Sequence, residues 1–273
     1  MTKTFAVIGD PINHSLSPNI HNAAFNALKI DASYIAYRIP KGELAAGIEA
    51  LKTIKIAGFN VTIPHKIEMM KLLDGLNEDC KTIGATNTVI NDDGKLTGYN
   101  TDMDGFLDPI KKHRINCKDI DILLLGAGGA ARAIVAAFAK EKARRVTVAN
   151  RTKENAEKLV QFASKVGLEA EATDLSTASD TASQFGLIVN ATSAGLKNEP
   201  SPISTQNINK DSVVYDIVYV PMRTELLRQS KSRGATVIYG YEMLLGQAMR
   251  SFEIWMGRKA PYDTMKKALL GGF

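Results

Sequence analysis

The 273-residue sequence predicts an α/β fold in two parts, with an N-terminal α/β domain interrupted by a second α/β domain and completed by a C-terminal helical return. Three observations carry this. Short apolar runs alternate with helical periodicity along most of the chain. A fresh series starts near Ile120, where residues 122–125 form a continuous apolar run ending in glycines, the pattern of a strand buried on both faces. After Gly240 the strands stop and only helical patterns remain, so the last helices need another body to pack on. The expected division is residues 1–103 plus 241–273 for the first domain and 104–240 for the inserted one.

The elements follow in order. Residues 5–8 (FAVI) read as a buried strand, and Ile20, Ala23, Ala24, Ala27 and Leu28 repeat at helical spacing. Residues 34–39 are a second strand, 44–51 a helix, and 58–63 a third strand stopped by Pro64. Proline suits the first helical position, so a helix is expected over 65–73. Residues 86–90 and 95–99 read as strands joined by the turn Asn91-Asp92-Asp93-Gly94. In the inserted part, 130–140 is an alanine-rich helix, 145–149 a strand, 156–166 a helix, and 187–189, 213–218 and 236–238 further strands, with a helix over 224–233. Leu245, Ala248, Phe252, Trp255 and Met256 form an apolar stripe on one late helix, and a short helix follows Pro261.

Composition narrows the function. Apolar residues are 45% and charged residues 23%, as in an ordinary globular protein, and the net charge is only +5. There is no basic aromatic repeat, zinc-finger spacing or long cationic block, so nucleic acid is not an expected partner. No apolar run is long enough for a membrane span or signal peptide. Two distant cysteines make no disulfide framework, so the cytoplasm is the expected compartment. The four histidines have no metal-ligand spacing, and no metal is expected. A small-molecule substrate and a monomer or homodimer are expected.

Residues 126–131 read G-x-G-x-x-A: Gly126, Ala127, Gly128, Gly129, Ala130, Ala131. Alone this is a weak match, but here it follows a buried strand and opens a helix, the context of a Rossmann-type dinucleotide site. Gly126 permits a tight turn, Gly128 lets backbone approach a pyrophosphate, and Ala131 lets helix and strand pack closely. The helix N-terminus offers free N–H groups to phosphate. An NAD site usually carries an acid at the end of the next strand to hold the ribose 2′-hydroxyl. This chain has Asn150-Arg151-Thr152-Lys153 there, and Arg and Lys suit a 2′-phosphate, so NADP is the expected cofactor.

In the first domain, polar clusters stand where apolar strands end. They are Ser15-Leu16-Ser17-Pro18, Asn60-Val61-Thr62-Ile63-Pro64-His65-Lys66 and Gly98-Tyr99-Asn100-Thr101-Asp102, and between the last two lies Gly84-Ala85-Thr86-Asn87-Thr88. Ligands of open α/β sheets bind beyond the carboxyl ends of strands, and this mixture of hydroxyls, amides, one Lys and one Asp suits a small polyhydroxylated acid.

These clusters, followed by G-A-G-G-A-A-R, N-R-T and the late G-Y-E-M-L-L-G-Q-A, occur in the order of the shikimate dehydrogenase family, which the chain resembles from about residue 5 to about residue 270. The resemblance implies a substrate domain with an inserted NADP-binding Rossmann domain, and reversible NADPH-dependent reduction of the 3-dehydroshikimate ketone to shikimate, in aromatic amino-acid biosynthesis. It implies Lys66 as catalytic acid/base with Asp102 as its partner. It implies Ser15 and Ser17 for the substrate carboxylate, with Tyr219 assisting, and Thr62, Asn87, Asp102 and Gln247 for the ring hydroxyls. Ile217 and Gly240 would line the nicotinamide end, with residues 192–195 as a loop beside the cofactor. The family often has a second basic residue a few positions after N-R-T, where this chain has Lys153-Glu154-Asn155.

Plainer readings stand beside these. Ser17 before Pro18 is a good helix cap, Asp102 or Thr101 could cap the next helix, and Lys66 could be a solvated first-turn residue. Asn60, His14 and His65 are weaker candidates for a functional part than Lys66 and Asp102. Competing functions are a quinate/shikimate dehydrogenase using NAD or both cofactors, and a non-catalytic NADP-binding regulator.

Overall fold

The computed structural model describes residues 2–273, without the side chain of Asn198. The chain forms two compact units, Met1–Gly105 with Leu245–Gly272, and Phe106–Leu244. The crossings fall at 105/106 and 244/245, a few residues beyond 103/104 and 240/241 and within the same helices, because one continuous helix carries the chain across each boundary.

The first unit contains β1 (Lys3–Gly9), α1 (Ser17–Ala27), β2 (Ala32–Arg38), α2 (Leu44–Thr53), β3 (Gly58–Val61), β4 (Gly75–Leu76), α3 (Glu78–Ile83), β5 (Thr88–Asp92), β6 (Lys95–Tyr99) and the start of α4 (Asp102–Lys112). Its sheet runs β2-β1-β3-β5-β6-β4. The β1–β2 and β1–β3 pairs are parallel, whereas β5 is antiparallel to both β3 and β6. One row therefore reads Val7, Asn60, Thr88, Tyr99 across four strands. The chain leaves β1, β3 and β6 and enters β5 at the same edge of the sheet. The core beneath is apolar, with Ala6, Ile8, Leu44, Ile48, Phe59, Val61, Val89 and Leu96 all buried.

The second unit holds β7 (Asp121–Leu125), α5 (Gly129–Lys140), β8 (Arg145–Ala149), α6 (Lys153–Lys165), β9 (Ala170–Thr173), α7 (Leu175–Asp180), β10 (Leu187–Asn190), β11 (Val213–Asp216), α8 (Glu225–Ser232), β12 (Thr236–Tyr239) and the start of α9 (Gly240–Met256). All its strands are parallel, in the order β12-β11-β10-β7-β8-β9. That is the doubly wound order of dinucleotide-binding folds, and its direction reverses between β7 and β10. Leu123, Leu125, Ile188 and Val214 are fully buried, which is why these strands read as unbroken apolar runs.

Helix α9 and α10 (Tyr262–Leu270) return to the first unit, where α10 packs on α1. Trp255 of α9 donates its indole N–H to Val89 O at 3.0 Å and packs its ring, tilted, against Phe5 at 4.9 Å, which docks the apolar stripe over the sheet.

Several local expectations are corrected. The helix over 65–73 is absent, and only a 3₁₀ turn at Glu68–Leu72 forms. A helix needs the Lys66 carbonyl for Met70 N, but that carbonyl accepts Thr86 N at 3.0 Å, while Met70 N turns to Ile67 O. Ser17 does not cap α1: the cap position is Leu16, without a side-chain bond, and Ser15 Oγ accepts Ser17 N instead. The strand expected over 86–90 begins at Thr88. Helix α3 was not anticipated, although Asn77 caps it by accepting Cys80 N and Gly84 closes it in the left-handed region. No helix among the described residues is long and apolar enough to cross a membrane.

Candidate active site

In the first unit, the shared sheet edge brings the polar clusters together. Lys66 Nζ lies 2.5 Å from Asp102 Oδ2, with side chains 19% and 8% exposed. Asn87 Nδ2 donates to Asp102 Oδ1 at 2.8 Å, so both carboxylate oxygens are engaged. The second N–H of Asn87 goes to Thr101 Oγ1 at 2.9 Å, and its oxygen accepts Thr101 N at 2.8 Å. Asp102 N–H donates to Asn100 Oδ1, and Asn100 in turn donates to Ala85 O. The Asp102 side chain thus faces Lys66 and Asn87 rather than capping its own helix.

Thr62 follows β3, half-buried, with its N–H on Ile8 O at 2.9 Å. Ser15 is half-buried and Ser17 is buried at the start of α1. Gln247 is half-buried on α9, and its carbonyl accepts Ser251 Oγ at 3.0 Å. The two candidate histidines, His65 and His14, differ. His65 is buried, with its ring Nε2 2.7 Å from Ile39 O, which makes it part of the scaffold, and His14 is exposed. Among the described residues no cluster of His, Cys, Asp or Glu could hold a metal ion.

This arrangement offers an ammonium beside a carboxylate, in a partly buried setting where Coulomb interaction is stronger than in bulk water. Such an ammonium is oriented by its partner and retains N–H bonds that can meet a developing oxyanion.

In the second unit, Leu125, Ala149, Asn190, Asp216 and Tyr239 lie in one register row at the carboxyl ends of β7, β8, β10, β11 and β12. Gly126, Asn150, Ile217 and Gly240 are each the next residue after that row. Gly126 has φ +102°, and a Cβ there would come within 2.9 Å of Thr192 and 3.0 Å of the Ala191 backbone. Only glycine fits so tight a turn. A Cβ at Gly240 would press within 2.6 Å of the Ile217 and Val218 carbonyls. By contrast, a Cβ at Gly128 or Gly129 would meet nothing within 4 Å, so open space lies beside the first turn of α5, whose leading N–H groups have no intrahelical acceptor. Ala127 and Ala130 flank them, half-buried, and Ala131 is fully buried against the sheet.

No acid stands at the end of β8. Asn150 bonds Thr152 O through its amide, and Arg151, Thr152 and Lys153 are exposed, with Lys153 only 3.9 Å from Glu157. An exposed guanidinium at that strand end fits a 2′-phosphate and lacks the acceptor that a free 2′-hydroxyl needs. Tyr219 belongs to this unit, half-buried on the turn after β11, and burial raises its hydroxyl pKa.

Behind this edge lies a polar knot that sequence reasoning missed. Buried Asp216 accepts Val218 N (3.0 Å), Asn190 Nδ2 (2.9 Å) and Thr224 Oγ1 (2.6 Å). Asn190 in turn accepts Thr192 N and Thr192 Oγ1 and donates to Ala194 O. One carboxylate therefore braces both the 191–195 loop and the 217–219 turn. Burial pushes its pKa up to about 6 against those three bonds. In the first unit Asn60, Thr88, Thr101 and Ser251 form the equivalent support. The available signal was a polar residue inside an otherwise apolar strand: Asn60 in GFNV, and Asn190 and Asp216 at the ends of LIVN and VVYD.

Comparison with known proteins covers the whole chain. Residues 7–89 match the family model for the shikimate dehydrogenase substrate binding domain. Residues 110–216 match that for shikimate / quinate 5-dehydrogenase, and residues 240–270 match the shikimate 5'-dehydrogenase C-terminal domain. The chain is 65% identical over 273 residues, covering 100% of both proteins, to the shikimate dehydrogenase (NADP(+)) of Nitrosopumilus maritimus. It superposes with a TM-score of 0.91 on a crystal structure of shikimate dehydrogenase from Aquifex aeolicus, at 40% identity, covering 98% of this chain and 97% of that one. The Thermus thermophilus enzyme in complex with NADP(H) and shikimate gives 0.89 at 34% identity, covering 100% of each.

Proposed function

Because the chain belongs to the shikimate dehydrogenase family, we propose that it catalyses the reversible, NADPH-dependent reduction of 3-dehydroshikimate to shikimate. The observation that carries this reading is the Lys66–Asp102–Asn87 cluster at one sheet edge, in a chain whose other sheet ends in a glycine turn with no acid after β8.

Bound NADPH supplies the hydride that reduces the C3 carbonyl carbon. The protein manages the charge and the proton. As the ketone is reduced, negative charge gathers on its oxygen, and the Lys66 ammonium stabilises that charge and donates a proton from Nζ. Asp102 holds the ammonium through Oδ2 and is itself held through Oδ1 by Asn87, so neither side chain must reorganise during the reaction. In the oxidation direction the neutral Lys66 amine takes the hydroxyl proton.

Ser15 and Ser17 take the substrate carboxylate, and Thr62, Asn87, Asp102 and Gln247 read the ring hydroxyls. The Asn87 amide hydrogens are already committed to Asp102 and Thr101, so its contribution to substrate is chiefly the orientation of Asp102. In the second unit the N-terminus of α5 holds the pyrophosphate, Arg151 and Lys153 hold the 2′-phosphate, and Ile217 and Gly240 flank the nicotinamide. The cytoplasm is the compartment that suits Cys80 and Cys117, both unpaired and buried, with burial raising each thiol pKa to about 11.

The test is the appearance of reduced-nicotinamide absorbance when the purified protein is mixed with shikimate and NADP, then with NAD, then with quinate. The reading requires turnover of shikimate with NADP as the preferred cofactor. Silence with every pair would leave a non-catalytic NADP-binding protein.

A further inference from the structure

Strand β3 is only four residues long, GFNV, and buried along its whole length, yet its third residue is an amide. Burying a primary amide is unfavourable unless its hydrogen-bonding groups are matched. Asn60 is 6% exposed, and all of its polar atoms are engaged. Its oxygen accepts the Tyr34 hydroxyl at 2.6 Å. Its Nδ2 donates to Asn87 O at 3.0 Å, to Thr88 Oγ1 at 3.0 Å and to Ser251 Oγ at 2.9 Å, three acceptors shared between two hydrogens. These partners come from β2, the segment entering β5, and α9, so one side chain ties three other segments to β3.

The connection extends in both directions. On one side Tyr34 is tied to α1, the helix that begins at Ser17 and the proposed carboxylate seat: its backbone N–H donates to Asn22 Oδ1 at 2.8 Å and its ring stacks on His21 at 4.4 Å. On the other, Asn87 grips Asp102, and Asp102 grips Lys66. A continuous run therefore joins α1, through Asn22 and His21, to Tyr34, Asn60, Asn87, Asp102 and Lys66. The bland alternative is that Asn60 merely fills the strand. It accounts poorly for a buried amide whose four hydrogen bonds draw in residues of three other segments.

We infer that Asn60, acting with Tyr34, is a positioning residue that sets the spacing between the carboxylate seat at Ser17 and the Lys66–Asp102 pair. The inference rests on the proposed function, since it needs a rigid substrate with a carboxylate at one end and the reacting oxygen at the other. A rigid ring cannot adapt to a changed spacing, so a small displacement costs rate only for a ligand that must satisfy both ends.

The test compares shikimate with the analogue in which the carboxylate is replaced by hydroxymethyl, each with NADP. The proteins are the full-length wild type, Tyr34→Phe and Asn60→Ala. Tyr34→Phe removes one hydroxyl and keeps the ring stacked on His21, so it keeps the question answerable should Asn60→Ala fail to fold. The expected result for Tyr34→Phe is a fall of about tenfold in kcat/KM for shikimate, under about twofold for the analogue, and an unchanged KM for NADP. Asn60→Ala should show the same selectivity change, larger. Parallel falls for both substrates would mean a scaffold role and would overturn the inference, as would unchanged kinetics in Tyr34→Phe. Failure of the wild type to oxidise shikimate would overturn the proposed function itself, and is seen before any variant is made.

Discussion

The two units make their functional edges from different materials. In the first, side chains touch side chains: Lys66, Asp102, Asn87, Thr101, Thr88, Asn60 and Ser251 form a hydrogen-bonded web. In the second, the edge itself is mostly backbone, a glycine turn with open space above Gly128 and Gly129, and its support is one buried carboxylate set behind it. The difference fits the tasks. Proton transfer depends on where a particular side-chain atom sits, so that atom must be held beforehand. Pyrophosphate can be met by the backbone N–H groups that every residue but proline carries, so the residue type needed is one that stays out of the way.

Substitution at the first edge should have the largest effect. Lys66→Ala is expected to lower kcat by about 10²–10⁴-fold, with little change in NADP affinity. Steady-state rates beside a cofactor titration check it, and an unchanged kcat would remove Lys66 from the chemistry. Next comes the brace of the second edge. Asp216→Ala leaves three donors without their buried acceptor and should cost about 2–4 kcal/mol in urea unfolding. It should also weaken NADP binding by loosening the 191–195 loop.

Smaller effects follow. Arg151→Ala should raise KM for NADP by about tenfold, the worth of one charge-assisted bond, and leave KM for NAD nearly unchanged. Equal changes for the two cofactors would show that Arg151 does not meet the 2′-phosphate.

The weakest effects lie in the pH dependence of stability, where buried groups of the two units act in opposite directions. Burial raises Asp216 from an ordinary 3.8 to about 6, so the folded protein keeps this proton to higher pH than the unfolded chain. Its contribution is most favourable below 3.8 and is lost as pH rises through about 6. Burial lowers His21 from 6.5 to about 3, with both ring nitrogens unpartnered and the ring stacked 4.4 Å from Tyr34. Here the unfolded chain takes the proton first, so stability is full above 6.5 and declines as pH falls toward about 3. His21→Phe should flatten the acid limb of the stability profile while changing stability at neutral pH by less than about 1.5 kcal/mol. Asp216→Asn should remove the opposing slope. Urea unfolding across a series of pH values reads both.

Much of the second unit was legible in the sequence because its signals are local. The strand at residues 122–125, the glycines after it and the missing acid after β8 all lie within one βαβ stretch, and each has a direct physical meaning. The first unit was legible as a set of polar clusters but not as a web. Nothing near Asn60 in the chain tells that its amide meets Ser251, which is 191 residues away. The helix expected over 65–73 failed for the same reason, since the Lys66 carbonyl is taken by Thr86 from a distant segment.

The sequence by itself determined the alternation of strand and helix, the nucleotide turn, and the residue types available for proton transfer, because side-chain chemistry and backbone preference are properties of a short stretch. Only the tertiary structure decided which of those residues meet. The antiparallel turn of β5 delivers Asn87 to the edge where β3 and β6 end, and a hydrogen bond forms where folding brings donor and acceptor to about 3 Å.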